Sequence, residues 1–281
     1  MMRIKENLKN NESFMKYYRR IRMEFSPYGF LRNFIAFPVQ GFLREIGICD
    51  PEFKKVMGIR DEFNGKRCFI IATGPSLRIE DVLMLRNEYT FGLNTIFRLF
   101  EKVDWRPTFF HLSEPYLTTR VINEKGNNFD EYAEKYCFFN ALSKKEIKCN
   151  KAIYLHVNWL DHVYNYGKSS LFKYHSNPVW GVYDYYSVTQ ECIFLAMFMG
   201  FKSIYLIGAD NDYFGKSQHF SDNVENIRVD EKMAYLSQIA NDKAYEYIKR
   251  LSEKYDVNIY NATRGGRIEI FQRVALEDVV Y

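Results

Sequence analysis

The sequence predicts an α/β fold in which a parallel sheet is flanked by helices and preceded by an N-terminal helical extension. From Asn64 onward, short apolar runs alternate with helical segments, as in strands joined by helical crossovers. The segment Cys192–Met199 is apolar on every side, which indicates a buried helix. With 281 residues, of which 47% are hydrophobic, the chain can fill a sizeable core.

The individual elements follow from these patterns in chain order. Residues 1–60 are predicted to form the basic, aromatic extension, with one helical segment at Ser13–Phe25 and a second that ends at Ile48. Residues 61–281 are predicted to form one domain, with an aromatic insertion at 157–187 where no period is visible. Strands are predicted at Arg67–Ala72, Tyr89–Leu93, Thr108–Leu112, Tyr136–Phe139, Ala152–His156, Ser203–Gly208 and Val257–Tyr260, and helices at Ile79–Arg86, Thr95–Phe100, Tyr116–Asn123, Thr189–Gly200 and Glu231–Lys254.

Charge and cysteine content restrict the partners and the compartment. The net charge of +4 is too small to indicate a nucleic-acid partner. Residues 14–44 carry six basic residues and one acidic residue among many aromatics, a composition that can lie on an anionic membrane surface. Docking of this segment on the core or on a second subunit of a homo-oligomer is the alternative. Five scattered cysteines and the lack of an apolar leader predict a soluble cytoplasmic protein. If residues 14–44 contact the membrane, the expected location is peripheral, on the inner face of the cytoplasmic membrane.

The strongest local motif follows the first predicted strand of the domain. Thr73-Gly74-Pro75-Ser76 comes directly after a buried strand and before a predicted helix. Gly74 permits close backbone approach, Pro75 suits a first helical turn, and Ser76 adds a hydroxyl. The turn at Ile70–Leu77 is therefore predicted to bind the phosphate of a nucleotide through main-chain amides. A tight turn without a ligand is the alternative.

The next two predicted strands also end in polar residues. Asn94 follows the second strand, where its amide could read a ribose hydroxyl or a base edge. It could equally cap the following helix. Ser113 and Glu114 end the third strand and are expected to line the same crevice.

A polar cluster follows the strand that ends near Gly208. Asp210 is a candidate to order a sugar, a base or a metal, and His219 is the best general-base candidate because its reference pKa lies near neutrality. Close to the C-terminus, a glycine turn places Asn261, Thr263 and Arg264 as candidate contacts for a phosphate or carboxylate, with a plain loop as the alternative. No His/Cys cluster has metal-ligand spacing, so no metal site is predicted.

These motifs, in this order, resemble the MptE-like family, named for archaeal 6-hydroxymethylpterin pyrophosphokinase. The resemblance covers roughly Phe63 to Val280 and includes a Gln-His pair that matches His219. The same core resembles single-domain bacterial sialyltransferases, which use CMP-sialic acid and hold CMP with a Gly-Asn-Gly-Pro-Ser-Leu loop.

The sialyltransferase resemblance implies particular contacts. Gly74, Pro75, Ser76 and Leu77 match the loop, Asn94 matches its second CMP contact, and Gly208 and Asp210 match the later strand end. By the same resemblance, Tyr213 would contact the phosphate. The chain departs from the pattern at Ala72 and Thr73 in the loop and at Ser187-Val188-Thr189 before the buried helix.

The resulting hypothesis is a Rossmann-like glycosyltransferase that moves a sialic-acid-like sugar from a CMP donor onto a glycan or lipid-linked oligosaccharide, with no required cofactor. Thr73, Gly74, Pro75, Ser76 and Asn94 would hold the donor, Asp210 would order the site, and His219 would deprotonate the acceptor. The alternatives are a pterin-type pyrophosphokinase that uses ATP and Mg²⁺, and a non-catalytic accessory protein of the glycan machinery.

Overall fold

The computed structural model describes residues 37–48, 51–158, 177–183, 187–212 and 231–280. Its helices are α1 (Phe37–Glu45), α2 (Pro51–Gly58), α3 (Ile79–Met84), α4 (Pro115–Lys125), α5 (Val188–Phe198), α6 (Glu231–Lys254) and α7 (Leu276–Val279), with 3-10 helices at Asn94–Leu99 and Ala141–Ser143. Its strands are β1 (Arg67–Ile71), β2 (Thr90–Leu93), β3 (Phe109–Leu112), β4 (Tyr136–Asn140), β5 (Ala152–Leu155), β6 (Val157–Asn158), β7 (Val182–Tyr183), β8 (Ser203–Ile207), β9 (Asn258–Asn261) and β10 (Gln272–Arg273).

Eight of the ten described strands form one sheet with the order β10-β9-β8-β1-β2-β3-β4-β5, and every neighbouring pair is parallel. The chain leaves β1 and builds outward to β5 on one side. It then returns to β8, which pairs with β1 on the other side, from Arg67 opposite Ser203 to Ile71 opposite Ile207. The predicted α/β fold with a parallel sheet is confirmed, and the direction of strand addition reverses between β1 and β8.

Alternate residues of each strand enter two different core clusters. Cys68 and Ile70 of β1 belong to the cluster that contains Ile193 of α5, and that cluster also takes residues of α2 and α6. Phe69 and Ile71 belong to the second cluster, which contains residues of α3, α4 and α7. Because side chains of a strand point alternately to the two faces, the sheet is covered by helices on both faces. Such burial explains why the strands read as continuous apolar runs in the sequence.

The structure departs from the predicted elements at several short segments. Helix α2 was not predicted, and the predicted helix Thr95–Phe100 is instead a 3-10 helix. Two short strands within the predicted insertion, β6 and β7, pair in parallel outside the main sheet. The predicted helix Ser13–Phe25 and most of the insertion lie outside the described residues, so the domain boundaries remain predictions. Among the described helices, none combines the length and apolarity needed to cross a bilayer.

Candidate functional site

A cavity of about 280 Å³ opens at the carboxyl ends of β1 and β8, where the direction of strand addition reverses. In open parallel sheets, ligands bind at this reversal because the loops of the two neighbouring strands diverge and leave a crevice. The described lining comprises residues 72–75 after β1, Leu93 and Asn94, residues 187–189 at the start of α5, residues 208–212 after β8, and Tyr245 of α6. The fold thus brings Thr73, Gly74, Pro75, Asn94, Gly208 and Asp210, all predicted from sequence, to one cavity.

The turn after β1 uses its own main-chain donors. The Gly74 amide donates to the Gly208 carbonyl at 2.9 Å, the Ser76 amide donates to Asp210 Oδ2 at 3.2 Å, and the Leu77 amide donates to the Gly74 carbonyl at 3.2 Å. These bonds contradict the expectation that the amides of this turn are open to a phosphate. A ligand at this turn would first have to replace bonds that the protein already makes.

The helix that follows this turn begins where the sequence predicted it, at Ile79, and not at Pro75. Helix α3 starts at Ile79, and the amide of Arg78, which precedes it, donates to Asp81 Oδ2 at 3.2 Å. Pro75 therefore lies in a turn and not in a first helical turn, which corrects the sequence interpretation. Asp81 of α3 satisfies the amide that precedes the helix, so this donor is not open to a ligand.

Asp210 joins the two loops that flank the reversal point. Its Oδ2 atom accepts from the Ser76 hydroxyl at 2.9 Å in addition to the Ser76 amide, and its carbonyl accepts from the Arg267 amide at 2.8 Å. A Cβ atom on Gly74 would lie 2.0 Å from this Oδ2, so only glycine allows the approach. Gly208 has a φ of +62°, and a Cβ there would lie 2.7 Å from the Ala72 carbonyl. Asp210 is therefore a positioning residue for the cavity wall.

Asn94 lines the cavity with a left-handed backbone, at a φ of +48°. It is the first residue of the 3-10 helix Asn94–Leu99, and the cap position is Leu93, with no side-chain capping bond. The alternative that Asn94 caps this helix is therefore wrong. Asn is one of the few non-glycine residues that adopt this conformation readily, so its presence suits the backbone at this position of the cavity wall.

The start of α5 opens into the same cavity. Ser187 is its N-cap and accepts from the Thr189 amide at 3.3 Å, and Ser187, Val188 and Thr189 all line the cavity. The positive end of this 11-residue helix thus faces the space beside Asn94. Sequence reasoning gave these residues no binding role. The available signal was Ser187 just before the segment that leads into the apolar run Cys192–Met199, since a Ser at such a boundary is a typical N-cap.

Ser113 and Glu114 are committed to bonds within the protein and do not belong to the described lining. The Ser113 hydroxyl donates to Glu191 Oε1 at 3.0 Å, and His111 Nε2 lies 2.8 Å from Glu191 Oε2. Glu114 caps α4 by accepting from the amides of Tyr116 and Leu117. The buried Glu191 therefore links the end of β3 to the first turns of α5, and it stabilises the helix that faces the cavity.

The carboxylates after β8 are also paired. Asp212 lies 3.5 Å from the Arg267 guanidinium, and Asn211 donates through Nδ2 to Asp242 Oδ1 at 3.0 Å. Within the described ranges, no group of three or more His, Cys, Asp or Glu side chains is arranged to hold a metal ion. Asp210 and Asp212 are thus poor candidates for a ready pair of Mg²⁺ ligands, since Asp210 accepts from Ser76 and Asp212 is paired with Arg267.

The C-terminal glycine turn makes hydrogen bonds to segments that form or adjoin the cavity wall. The Ala209 amide donates to Thr263 Oγ1 at 3.2 Å, and Asn261 Nδ2 donates to the Ile268 carbonyl at 2.7 Å. Arg264 binds Asp81 Oδ1 through two nitrogens, at 2.7 and 2.9 Å, and it also contacts Glu277. The expectation that this motif contacts a ligand anion is therefore corrected, because the carboxylate partners of Arg264 belong to the protein itself.

Two predicted residues, Tyr213 and His219, lie outside the described residues. Their roles rest on the sequence motifs and stay predictions.

A model of the family described as 6-hydroxymethylpterin diphosphokinase MptE-like matches residues 48–216, more than half of the chain. No curated protein matches the sequence of this chain.

Several solved structures resemble the chain. The MAf glycosyltransferase from Magnetospirillum magneticum AMB-1 is 15% identical with a TM-score of 0.48, and the match covers 80% of this chain but only 38% of that protein. The sialyltransferase CstII from Campylobacter jejuni, solved with cytidine-5'-monophosphate, is 17% identical with a TM-score of 0.44, covering 75% and 86% of the two chains. The monofunctional alpha-2,3-sialyltransferase Cst-I from the same organism is 18% identical with a TM-score of 0.41, covering 74% and 79%. At such values the similarities assign no substrate to this chain.

Proposed function

This chain belongs to the 6-hydroxymethylpterin diphosphokinase MptE-like family, and we propose that it acts within that family as a glycosyltransferase whose cavity binds the nucleotide of a CMP-linked, sialic-acid-like sugar. The acceptor is a hydroxyl of a surface glycan or of a lipid-linked oligosaccharide. The nucleotide is released as CMP, and no metal ion is required.

The single observation that carries the proposal is the cavity between the ends of β1 and β8. Its volume of about 280 Å³ lies just below the range for pockets that take drug-sized ligands, roughly 300–1,000 Å³, so we propose that it holds one nucleoside monophosphate. Beside several apolar residues and the carboxylates of Asp210 and Asp212, the described lining includes the neutral polar side chains of Asn94, Ser187 and Thr189. Such groups can hydrogen-bond ribose hydroxyls and a phosphate without a metal ion.

The phosphate of the donor is proposed to lie at the start of α5. The turn after β1 already uses its amides, whereas Ser187, Val188 and Thr189 present the positive end of a longer helix to the cavity. The partial positive charge of a helix N-terminus stabilises a departing phosphate. Glu191, held by His111 and Ser113, fixes the orientation of this helix turn.

The reaction breaks the bond between the anomeric carbon of the sugar and a phosphate oxygen of CMP, which departs with the electron pair. A new bond forms between the acceptor oxygen and that carbon, and the acceptor proton passes to a base. His219 is the proposed base and Tyr213 a proposed phosphate contact, both from the motif order alone. Asp210 acts through Ser76 by holding the two loops together.

A second candidate is a diphosphokinase that uses ATP and Mg²⁺, which the description of the family favours. It requires carboxylates for the metal ion, and Asp210 and Asp212 are the candidates in the described lining. Both are bonded to protein donors, so this candidate needs them to exchange partners when the metal binds. A non-catalytic accessory role is the third candidate.

A thermal-shift panel of CMP, CDP, UDP, GDP and ATP, each with and without Mg²⁺, separates these functions. A ligand present at 100 times its dissociation constant stabilises the fold by about 2.7 kcal/mol. The proposal predicts a response to CMP that does not depend on Mg²⁺. A response restricted to ATP with Mg²⁺ favours the diphosphokinase, and silence across the panel contradicts both enzymes.

An activity measurement completes the test. Release of CMP from a CMP-sialic acid donor is expected to increase when a glycan acceptor is added. His219→Gln is expected to abolish the increase while the thermal response to CMP persists. If His219→Gln loses both the acceptor-stimulated release of CMP and the thermal response to CMP, the proposal that His219 acts only as the base is contradicted.

A further inference from the structure

Helix α1 packs on the protein through its small and polar side. Gly41 is buried, and a Cβ on it would lie 2.6 Å from the Trp180 ring. Arg44 is 5% exposed and donates through Nε to the Val179 carbonyl at 2.6 Å and through a terminal nitrogen to the Trp180 carbonyl at 3.0 Å. Trp180 Nε1 donates to Glu45 Oε2 at 2.7 Å. These polar contacts determine which side of α1 faces outward.

The outward side of α1 is apolar. Val39, Phe42 and Ile46 are 50%, 54% and 49% exposed, and their spacing of three and four residues places them in one row along the helix. Ile48, just beyond the helix, is 64% exposed. We call these four side chains the apolar row. A helix that buries an arginine and exposes a phenylalanine reverses the usual arrangement, and a contiguous exposed apolar patch marks an interaction site.

We propose that the apolar row docks on the headgroup region of a bilayer that contains anionic lipid. The charge of the preceding sequence supports this occupant, because residues 14–43, of which 14–36 lie outside the described residues, carry five basic residues and one acidic residue. Basic segments next to an apolar helix face bind anionic bilayers by combining shallow insertion with electrostatic attraction. Arg44, which the sequence analysis counted in this basic segment, is not part of the attraction, because its guanidinium binds main-chain carbonyls.

The area of the apolar row is small for a protein–protein interface. Stable protein–protein contacts bury about 800 Å² on each partner. Four side chains that are about half exposed offer far less, so the row by itself does not support a dimer. Shallow insertion into lipid needs no such area, because each apolar side chain that leaves water contributes independently. The inference is independent of the proposed transfer reaction.

Vesicle sedimentation of the full chain tests the inference. The probes are phosphatidylcholine vesicles with and without phosphatidylglycerol. Wild-type protein is expected to bind the phosphatidylglycerol vesicles and to lose binding as salt is raised. The double variant Phe42→Asp/Ile46→Asp is expected to bind at least about tenfold more weakly. Leu142→Asp, which changes a residue that is 71% exposed on another part of the surface, is the matched control and is expected to bind as wild type.

Three outcomes overturn the proposal: no vesicle binding by wild type, equal binding by the double variant, or equal loss in the Leu142→Asp control. Sedimentation equilibrium of the same variants identifies the competing occupant. A wild-type dimer that the double variant converts to monomer, with no vesicle binding by either, assigns the row to a second copy of the chain and contradicts the lipid assignment. The thermal response to CMP, measured on the double variant, reports the nucleotide site separately.

Discussion

Asp210 and Ser76 are joined by two hydrogen bonds across 134 residues of sequence, from the Ser76 amide at 3.2 Å and from its hydroxyl at 2.9 Å, both to Asp210 Oδ2. The pair connects the loop after β1 to the loop after β8, on the two sides of the cavity. It also removes the Ser76 amide from the donors available to a ligand. The nucleotide phosphate is for this reason expected at α5 and not at the glycine turn.

The Ser76–Asp210 pair is expected to show energetic coupling. Ser76→Ala should lower the free energy of unfolding by about 1 kcal/mol, the usual worth of one partly buried hydrogen bond. In a double-mutant cycle with Asp210→Asn, the combined loss should be smaller than the sum by at least about 0.5 kcal/mol. Urea unfolding measures the cycle. Thr119→Ala, which removes an exposed hydroxyl elsewhere, should add to Asp210→Asn without coupling.

Gly74→Ala is expected to disrupt the cavity. Its Cβ would lie 2.0 Å from Asp210 Oδ2 and 2.4 Å from the Gly208 carbonyl, so the loops must separate. We expect the free energy of unfolding to fall by about 1–3 kcal/mol. We also expect the thermal response to CMP to be lost. Gly58→Ala is the matched control, because its Cβ meets no atom within 4 Å. That change should leave stability equal or slightly higher; equal losses in both variants would refute the steric argument.

Asn94 is expected to separate ligand binding from stability. Asn94→Gly keeps the φ of +48° available and removes the amide, so stability should change by no more than about 0.5 kcal/mol. The thermal response to CMP should fall. Asn94→Ala should lose the same response and about 1 kcal/mol of stability as well, because alanine disfavours this conformation. Asn87→Gly, an exposed residue before β2, is the control for the response to CMP.

Arg264 is expected to contribute strongly to stability through Asp81. The Asp81 side chain is 1% exposed, so Arg264→Met leaves a buried carboxylate without its cation. Because the Arg264 side chain is 29% exposed, breaking the pair should cost less than for a fully buried pair, about 2 kcal/mol. The second change Asp81→Asn should restore part of this loss. Thermal and urea unfolding measure the effect. Lys125→Met, which breaks the exposed pair with Glu101, should change stability little.

His156 is expected to make the fold sensitive to acid. Burial, and then the positive charge of Arg44, lower the pKa of His156 to about 4, against about 6.5 in an unfolded chain. Between these values the unfolded state binds the proton and the folded state does not, so stability falls as pH drops from about 6.5 to about 4. Between pH 7 and pH 5 the loss due to His156 is at most about 2 kcal/mol. His156→Gln should reduce this slope, and an unchanged slope would contradict the assignment.

Much of the fold was predictable because buried parallel strands leave a strong local pattern. The seven predicted strands all occur, most with ends shifted by one residue, since a ladder ends where pairing ends and not where apolar residues end. The two-residue strands β6, β7 and β10 were missed, because segments this short are defined only by their partners. The 3-10 helix at Asn94–Leu99 was predicted as an ordinary helix, since both have similar residue preferences.

The sequence by itself determined the parallel sheet, the position of its reversal-point loops and the small or polar residues that line them, because burial and turn geometry restrict residue type locally. Only the tertiary structure decided which donors remain for a ligand. Asp210 reaches Ser76 across 134 residues, and Arg264 reaches Asp81 across 183. No local pattern encodes such partners, since each bond depends on two chain segments that meet only after the sheet has assembled.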